Sequence, residues 1–117
     1  LKSSKNQTQA AQCLAAEEKE ILGNIGKTDY VILLDEKGKE HTSRDFAQQL
    51  NKWMTHHATV VFIIGGAFGF SQKVKERANA MLSMSQFTFP HHLSRTIFIE
   101  QLYRALTILK GENYHND

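Results

Sequence analysis

The chain reads as an α/β domain, a mostly parallel sheet flanked by helices. Three observations carry that reading. Tyr30–Leu34 (YVILL) and Val60–Ile64 (VVFII) are runs with no polar break. A strand open on one face alternates apolar with polar, so an unbroken run of this length predicts a strand covered on both faces. The segments around these runs carry helical periodicity, and strands alternating with helices argue for parallel pairing.

Taken in order, residues 7–22 lack proline and glycine and are rich in Ala, Glu, Gln and Lys, which predicts a helix ended by Gly23 and Gly26. Its apolar positions (Ala11, Leu14, Ala15, Ile21, Leu22) form only a thin stripe, the mark of a solvated peripheral helix that carries Cys13 with it. The YVILL strand closes at Asp35, and Glu36–Lys39 supplies a turn around Gly38. Thr42 and Asp45 have the spacing of a capping box, and Phe46, Leu50, Trp53 and Met54 follow on one helical face as core residues.

Val60–Phe70 (VVFIIGGAFGF) is the stretch on which the chain is centred. Its strand runs straight into a loop holding Gly65, Gly66 and Gly69, three of the chain's seven glycines. Glycine past a strand end lets a ligand approach the backbone, and ligands of open α/β sheets bind at the carboxyl ends of strands. Ser71 then caps a helix running to about Leu82, with Val74, Ala78, Met81 and Leu82 on its buried face. Lys73, Lys75 and Arg77 near its start read as a solvated face, or as a hint of an outside anion because they oppose the helix dipole.

Ser83–Phe89 (SMSQFTF) has strand character and ends at Pro90, the only proline. A long helix from about Leu93 to Lys110 closes the domain, with the tail ENYHND after Gly111. Its apolar residues, including Ile97, Phe98, Ile99, Leu102, Tyr103 and Leu106, spread around most of the circumference, leaving a polar strip of Thr96, Glu100, Arg104 and Thr107. A helix apolar nearly all round must be covered on two sides, which predicts a C2 homodimer.

Composition narrows the function. The chain has 117 residues, one domain's worth, with 41% hydrophobic and 22% charged residues. No apolar run approaches a membrane span and no signal-peptide pattern occurs, so no membrane partner is expected. A single cysteine forbids an internal disulfide and fits a cytoplasmic location. A net charge of +2 permits a nucleic-acid partner without demanding one. The chain begins at Leu1 rather than Met, consistent with an upstream piece.

The side chains are chemically plain. GGAFG is neither a dinucleotide fingerprint nor a phosphate loop. The six histidines include two adjacent pairs, His56-His57 and His91-His92, with no partner at ligand spacing, so no metal is expected. His91 and His92 follow a strand end, where either could orient a substrate, act as base or simply be satisfied loop residues. No nucleophile signature occurs.

Four segments in register carry a resemblance: IIGGAFGF at Ile63–Phe70, SMSQFTFPHHLSR at Ser83–Arg95, IEQLYRA at Ile99–Ala105 and ENYH at Glu112–His115. Together they strongly resemble the SPOUT-class methyltransferases that modify N3 of a pseudouridine in 23S rRNA, the ribosomal large subunit methyltransferase H family. The resemblance runs from the first helix to the end. It implies an α/β-knot, with a deep trefoil knot in the C-terminal part, a homodimer, and S-adenosyl-L-methionine as cofactor, held mainly by backbone groups of three loops. Those loops map onto Leu34, onto Gly65 and Gly66, and onto Met84, Ser85, Gln86, Phe87, Thr88 and Phe89. The implied substrate is 23S rRNA in the large subunit or assembled ribosome.

Methyl transfer to an imino nitrogen needs in-line positioning, loss of the N–H proton and stabilisation of the anion. On the resemblance, the candidates for this work are His91, Glu100, Arg104, Tyr114 and His115. Tyr114 and His115 would engage the target base while Arg104 handles phosphate or developing charge, and in a dimer one tail would complete the partner's site. The chain departs from the family twice. A single SPOUT domain over residues 1–117 would lack the family's first strand and helix, and Asn116 stands where a basic residue commonly follows the Tyr-His pair. The competing readings are a non-catalytic ribosome-binding module of the same fold and a nucleotide-binding regulator.

Overall fold

The computed structural model describes every residue except Leu1, Gly66, Ala67, Gln86, Thr88 and Asp117, and residues 2–8 by backbone alone. Its centre is strand β1 (Tyr30–Glu40), in which Val31, Ile32, Leu33 and Leu34 are all buried. Successive strand side chains point to opposite faces, so these four residues feed two cores. Ile32 and Leu34 face helix α2 (Ser43–His56) and helix α4 (His91–Lys110), meeting Phe46, Leu50, Trp53, Phe98 and Ala105. Val31 and Leu33 face the other way, towards Phe70 and Val74 of helix α3 (Gln72–Arg77) and its approach, with Ile21, Leu22 and Ile25 at the end of helix α1 (Lys2–Asn24). The result is three layers, with helices on both faces of a parallel sheet.

Among the described residues the sheet has three strands in the order β2-β1-β3, with β2 at Val60–Ile64 and β3 at Ala80–Ser83, both parallel to β1. Every residue of β2 is only half-buried. The expectation of a strand covered on both faces therefore holds for β1 and fails for β2, which lies at the sheet edge. Phe62 still reaches the α2–α4 layer, its ring 4.8 Å from Phe98 and 6.1 Å from Trp53. Ring pairs at such spacing add about 0.5–1.5 kcal/mol each beyond the area they bury.

Several boundaries differ from expectation, each for a local reason. Helix α1 starts earlier than residue 7 and continues through Gly23 to Asn24. Strand β1 does not end at Asp35. Leu34 pairs with Leu82, the chain bulges outward, and Lys39 pairs with Leu82 again before Glu40 meets Ser83. Gly38 makes this return possible. A Cβ there would sit 2.7 Å from the Leu82 nitrogen and 2.8 Å from the Met81 carbonyl carbon.

The segment expected as one helix from Ser71 to Leu82 divides. Ser71 caps α3 as expected, accepting from the Val74 amide at 3.3 Å, but the helix stops after six residues and Met81 and Leu82 belong to β3. Asn79 brings about the change by exchanging two 2.8 Å hydrogen bonds with the Val31 backbone, which locks the chain alongside β1. Arg77 is thereby a structural residue, donating to the Gly26 and Asp29 carbonyls at 2.7 and 3.0 Å. Lys75 and Arg77 lie in the last turn of α3, where cations suit the dipole, while Lys73 stays in its first turn.

Of the strand expected at Ser83–Phe89 only Ser83 is strand, as the end of β3, and Met84, Ser85, Phe87 and Phe89 are not. Helix α4 starts at His91, two residues early, because the Pro90 carbonyl already accepts from the Leu93 and Ser94 amides. Gly111 ends it in the left-handed region at φ 73°, as a glycine past a helix end allows. Thr42 caps α2 by accepting from the Asp45 amide at 3.1 Å, as expected. Two side chains depart from their assigned faces. Met54 is 44% exposed rather than core, and Thr107 is buried, donating to the Arg104 carbonyl rather than joining a polar strip.

Candidate functional site

The strand order places the site. From β1 the chain crosses to β2 on one side, and the next crossover carries β3 to the other. The chain leaves the carboxyl ends of β1 and β3 towards the α2–α4 face and that of β2 towards the α3 face, and a crevice opens among the three loops. A cavity of about 420 Å³ lies there. Leu34 and Ile64 form its floor at the strand ends. One wall is the outward excursion of β1, Asp35–Lys37, pinned where Asp35 accepts from the Lys37 amide at 2.9 Å. A second is the glycine loop, through Gly65 and Phe68–Phe70, and a third is the loop after β3, through Met84, Ser85, Phe87 and Phe89.

Each wall is held by its own bonds. A Cβ on Gly65 would meet the Phe70 ring at 3.1 Å, so glycine is what lets that buried ring fold beneath the loop, and Gly69 takes φ +77° to make the turn. Ser83 donates to the Ser85 carbonyl at 3.1 Å while Ser85 Oγ accepts from the Phe87 amide at 3.0 Å. These two serines fix the third wall and leave the Phe87 ring 80% exposed. His91, in the first turn of α4, bonds through Nδ1 to the Gly65 carbonyl at 3.0 Å. A carbonyl only accepts, so Nδ1 carries the proton and the neutral ring keeps its lone pair on Nε2.

Six of the nine residues expected to hold a cofactor line this one cavity: Leu34, Gly65, Met84, Ser85, Phe87 and Phe89. Gly66, Gln86 and Thr88 lie outside the described residues. Sequence reasoning missed Asp35–Lys37, Phe68, Phe70 and Lys75, which also line it. The aromatic residues flanking Gly69 were the available signal for part of this set. The excursion of β1 left none, because a Gly-containing polar tetrapeptide reads as a plain turn.

The other expected residues form a second cluster. Glu100 accepts from Arg104 Nε at 3.2 Å and Nη2 at 2.8 Å, from Gln101 Nε2 at 3.0 Å and from the Tyr114 hydroxyl at 3.1 Å. Arg104 also bonds His115 Nδ1 at 3.1 Å and lies 4.9 Å from the centroid of the Tyr114 ring. The tail is thus clasped onto α4. The bonds from Arg104, more than those from Tyr114, hold the Glu100 carboxyl below its ordinary range. The Glu100 bond likewise pushes the Tyr114 hydroxyl up and keeps Arg104 charged. Tyr114 is therefore a hydrogen-bond donor at neutral pH and not a base.

Within one chain the two clusters stay apart. Ser94 lines the cavity, and Arg104 lies ten residues further along the same helix. At 1.5 Å per residue that separates them by about 15 Å. None of the five candidates lines the cavity, and His91 reaches its wall through the bond to the Gly65 carbonyl. Among the described residues no three His, Cys, Asp or Glu side chains come together as a metal site, and no helix is long and apolar enough to cross a membrane.

Comparison with known proteins agrees with the four motifs. The family model for predicted SPOUT methyltransferases matches residues 1–115. Over 121 residues the chain is 46% identical to the ribosomal RNA large subunit methyltransferase H of Parabacteroides distasonis, covering all of this chain and 74% of that protein. The namesake from Cytophaga hutchinsonii is 48% identical over 101 residues, 86% of this chain and 65% of the relative. That from Neisseria meningitidis is 43% identical over 108 residues, 92% of this chain and 69% of the relative. The chain spans about two thirds to three quarters of the length of these relatives. By its fold, its motifs and a match over nearly its whole length, the chain belongs to the SPOUT methyltransferase family.

Proposed function

We propose that this chain methylates N3 of a pseudouridine in 23S rRNA of the large ribosomal subunit, with S-adenosyl-L-methionine as donor and as one half of a homodimer. The observation that carries the proposal is the cavity at the carboxyl ends of the three strands, walled by three loops and lined by Leu34, Gly65 and Met84–Ser85. Its volume falls in the range of about 300–1,000 Å³ usual for small-molecule sites. Its chemistry fits the donor. Leu34, Met84, Phe87 and Phe89 offer apolar walls for an adenine, and the rim carries both signs of charge in Asp35, Glu36, Lys37 and Lys75, as a zwitterionic amino-acid end requires. Family membership also supports reading the C-terminal part as a deep trefoil knot.

When bound, S-adenosyl-L-methionine supplies a methyl carbon on a sulfonium whose departure leaves a neutral thioether. For N3 to take that carbon, its N–H bond must break and the proton must pass to a base. His91 Nε2 is the candidate acceptor, because the Gly65 carbonyl holds the other nitrogen as donor. Tyr114 and His115 engage the target base, and Arg104 stabilises the charge that develops on its oxygens. Glu100 keeps these groups in one arrangement.

A second copy brings the clusters together. Ile99, 59% exposed, is midway between Ser94 and Arg104. Antiparallel packing of two α4 helices about a two-fold axis near Ile99 sets Ser94 across from the partner's Arg104. Exposed Leu93, Tyr103 and Leu106 extend the apolar surface along the same helix.

Incubation with methyl-labelled S-adenosyl-L-methionine and ribosomes, subunits or naked RNA, followed by mapping of the modified nucleotide, tests the proposal. Label at N3 of one pseudouridine is expected. Donor binding by calorimetry without label in any RNA would replace it with a non-catalytic module.

A further inference from the structure

We propose that Ser43 and Gln101 are positioning residues of the tail clasp, a relay that runs from the first turn of α2 through Gln101 to the Glu100 carboxylate. The Ser43 hydroxyl and Gln101 Oε1 are 2.9 Å apart, and Gln101 Nε2 donates to Glu100 Oε1 at 3.0 Å. The direction of the relay is fixed by chemistry. An amide turned the other way would press its oxygen against a carboxylate, which only accepts. Oε1 therefore faces Ser43, which must donate to it. Glu100 then receives four donors over its two oxygens, from Gln101, twice from Arg104 and from Tyr114.

A carboxylate on a half-buried helix surface has free rotation about its outer torsions. Arg104 and Tyr114 bind mostly on the Oε2 side, and Arg104 is itself a long side chain on the same helix. Gln101 supplies the bond to Glu100 that is anchored in another helix, because its far end is tied to α2. Ser43 can serve this way because Thr42, one residue earlier, already caps the helix and leaves the Ser43 hydroxyl free for α4. The packing of α2 on α4 thereby sets the rotamer of Glu100, and through it the guanidinium of Arg104 and the hydroxyl of Tyr114.

This inference rests on the clasp being part of the methylation site, yet it can be read without any RNA. Tyrosine labelled with 13C at Cζ reports the ionisation of Tyr114 by NMR. In Gln101→Ala and in Ser43→Ala the Tyr114 titration is expected to move down towards the ordinary tyrosine range, and in Ser43→Thr, which keeps the hydroxyl, to stay with the wild type. A titration unchanged in both alanine variants overturns the relay, as does a Ser43→Thr variant that behaves like Ser43→Ala. Ser43→Ala removes a single partly buried hydroxyl and keeps the measurement accessible should Gln101→Ala fold poorly. In the methylation assay, kcat is expected to fall about two- to tenfold, the scale of one hydrogen bond, with KM for the donor unchanged. A loss confined to donor KM would place the effect at the cavity and overturn the relay, whereas wild type inactive on every RNA would overturn the function and leave the titration result standing.

Discussion

His91 donates from Nδ1 to the Gly65 carbonyl oxygen at 3.0 Å, joining the first turn of α4 to the glycine loop that follows β2. The bond spans 26 positions of sequence and ties the closing helix to the cavity wall. His91→Ala frees that loop. Donor binding measured by calorimetry is expected to weaken about two- to tenfold for the lost bond, and turnover to fall further, by about a hundredfold, if Nε2 also takes the N3 proton. Equal losses in binding and turnover would leave His91 a loop tether only.

Gly38 faces β3 with no room for a methyl group. The atoms a Cβ would meet at 2.7–2.8 Å are backbone atoms of Leu82 and Met81, which cannot rotate away. Gly38→Ala is expected to destabilise the chain by about 1–3 kcal/mol, the scale of overpacking, and to lower Tm by at least about 4 °C. Because the Asp35–Lys37 wall springs from this contact, donor affinity should fall with it. A variant that melts and binds like wild type would show that the excursion does not depend on glycine.

What could be read from the sequence and what could not divide along physical lines. YVILL announced a central strand because covering on both faces leaves an unbroken apolar run, and the structure buries all of Val31–Leu34. VVFII has the same pattern but lies at an edge, since pattern reports apolarity and not the number of neighbours. The VKERANAML segment looked helical because Val74, Ala78, Met81 and Leu82 fit the helical period, yet Asn79 engages the Val31 backbone and a strand follows. That bond joins residues 48 positions apart, beyond any local window. The cavity loops were legible through their motifs, whereas the excursion at Asp35–Lys37 depends on pairing with Leu82 twice.

Met54 and Leu50 give that comparison a measurable form. At 100° per residue from Phe46, Leu50 lies about 40° away and Met54 about 80°, on the edge of the buried stripe. Leu50 is 2% exposed and Met54 44%. Chemical denaturation of Leu50→Ala should show a loss of about 2–5 kcal/mol, and of Met54→Ala about 0.5 kcal/mol or less. Comparable losses would put Met54 in the core after all.

The tail clasp has a pH window set by its two ends. Glu100 has its carboxyl lowered below the ordinary 4.5, so its contribution is present above that value and lost as pH falls through the folded value. Tyr114 has its hydroxyl raised above the ordinary 10.0 by the same hydrogen bond, so its contribution is complete below 10.0 and lost as pH climbs through the folded value. The clasp is therefore closed across the neutral range and opens at both extremes. Glu100→Gln removes the charge, and the Tyr114 titration is expected to drop towards the ordinary range. A Tyr114 that titrates alike in both proteins would mean that the hydrogen bond does not hold in solution.

The dimer prediction rests on distance. A methyl group transfers between atoms about 3–3.5 Å apart, and the cavity and the clasp stand about 15 Å apart along α4 of one chain. If both clusters serve one reaction, they must come from two copies. Ile99→Arg places a charge at the centre of the exposed apolar face, where burial without a partner is costly. Sedimentation should show a dimer for the wild type and a monomer for this variant, with unchanged circular dichroism. Donor binding should survive, since the cavity lies within one chain, while methylation should disappear. Mixing the inactive Ile99→Arg monomer with wild type should not restore its activity, because the variant cannot enter the pair. A variant that is monomeric yet fully active would require the tail to reach its own cavity, and would sink the composite site.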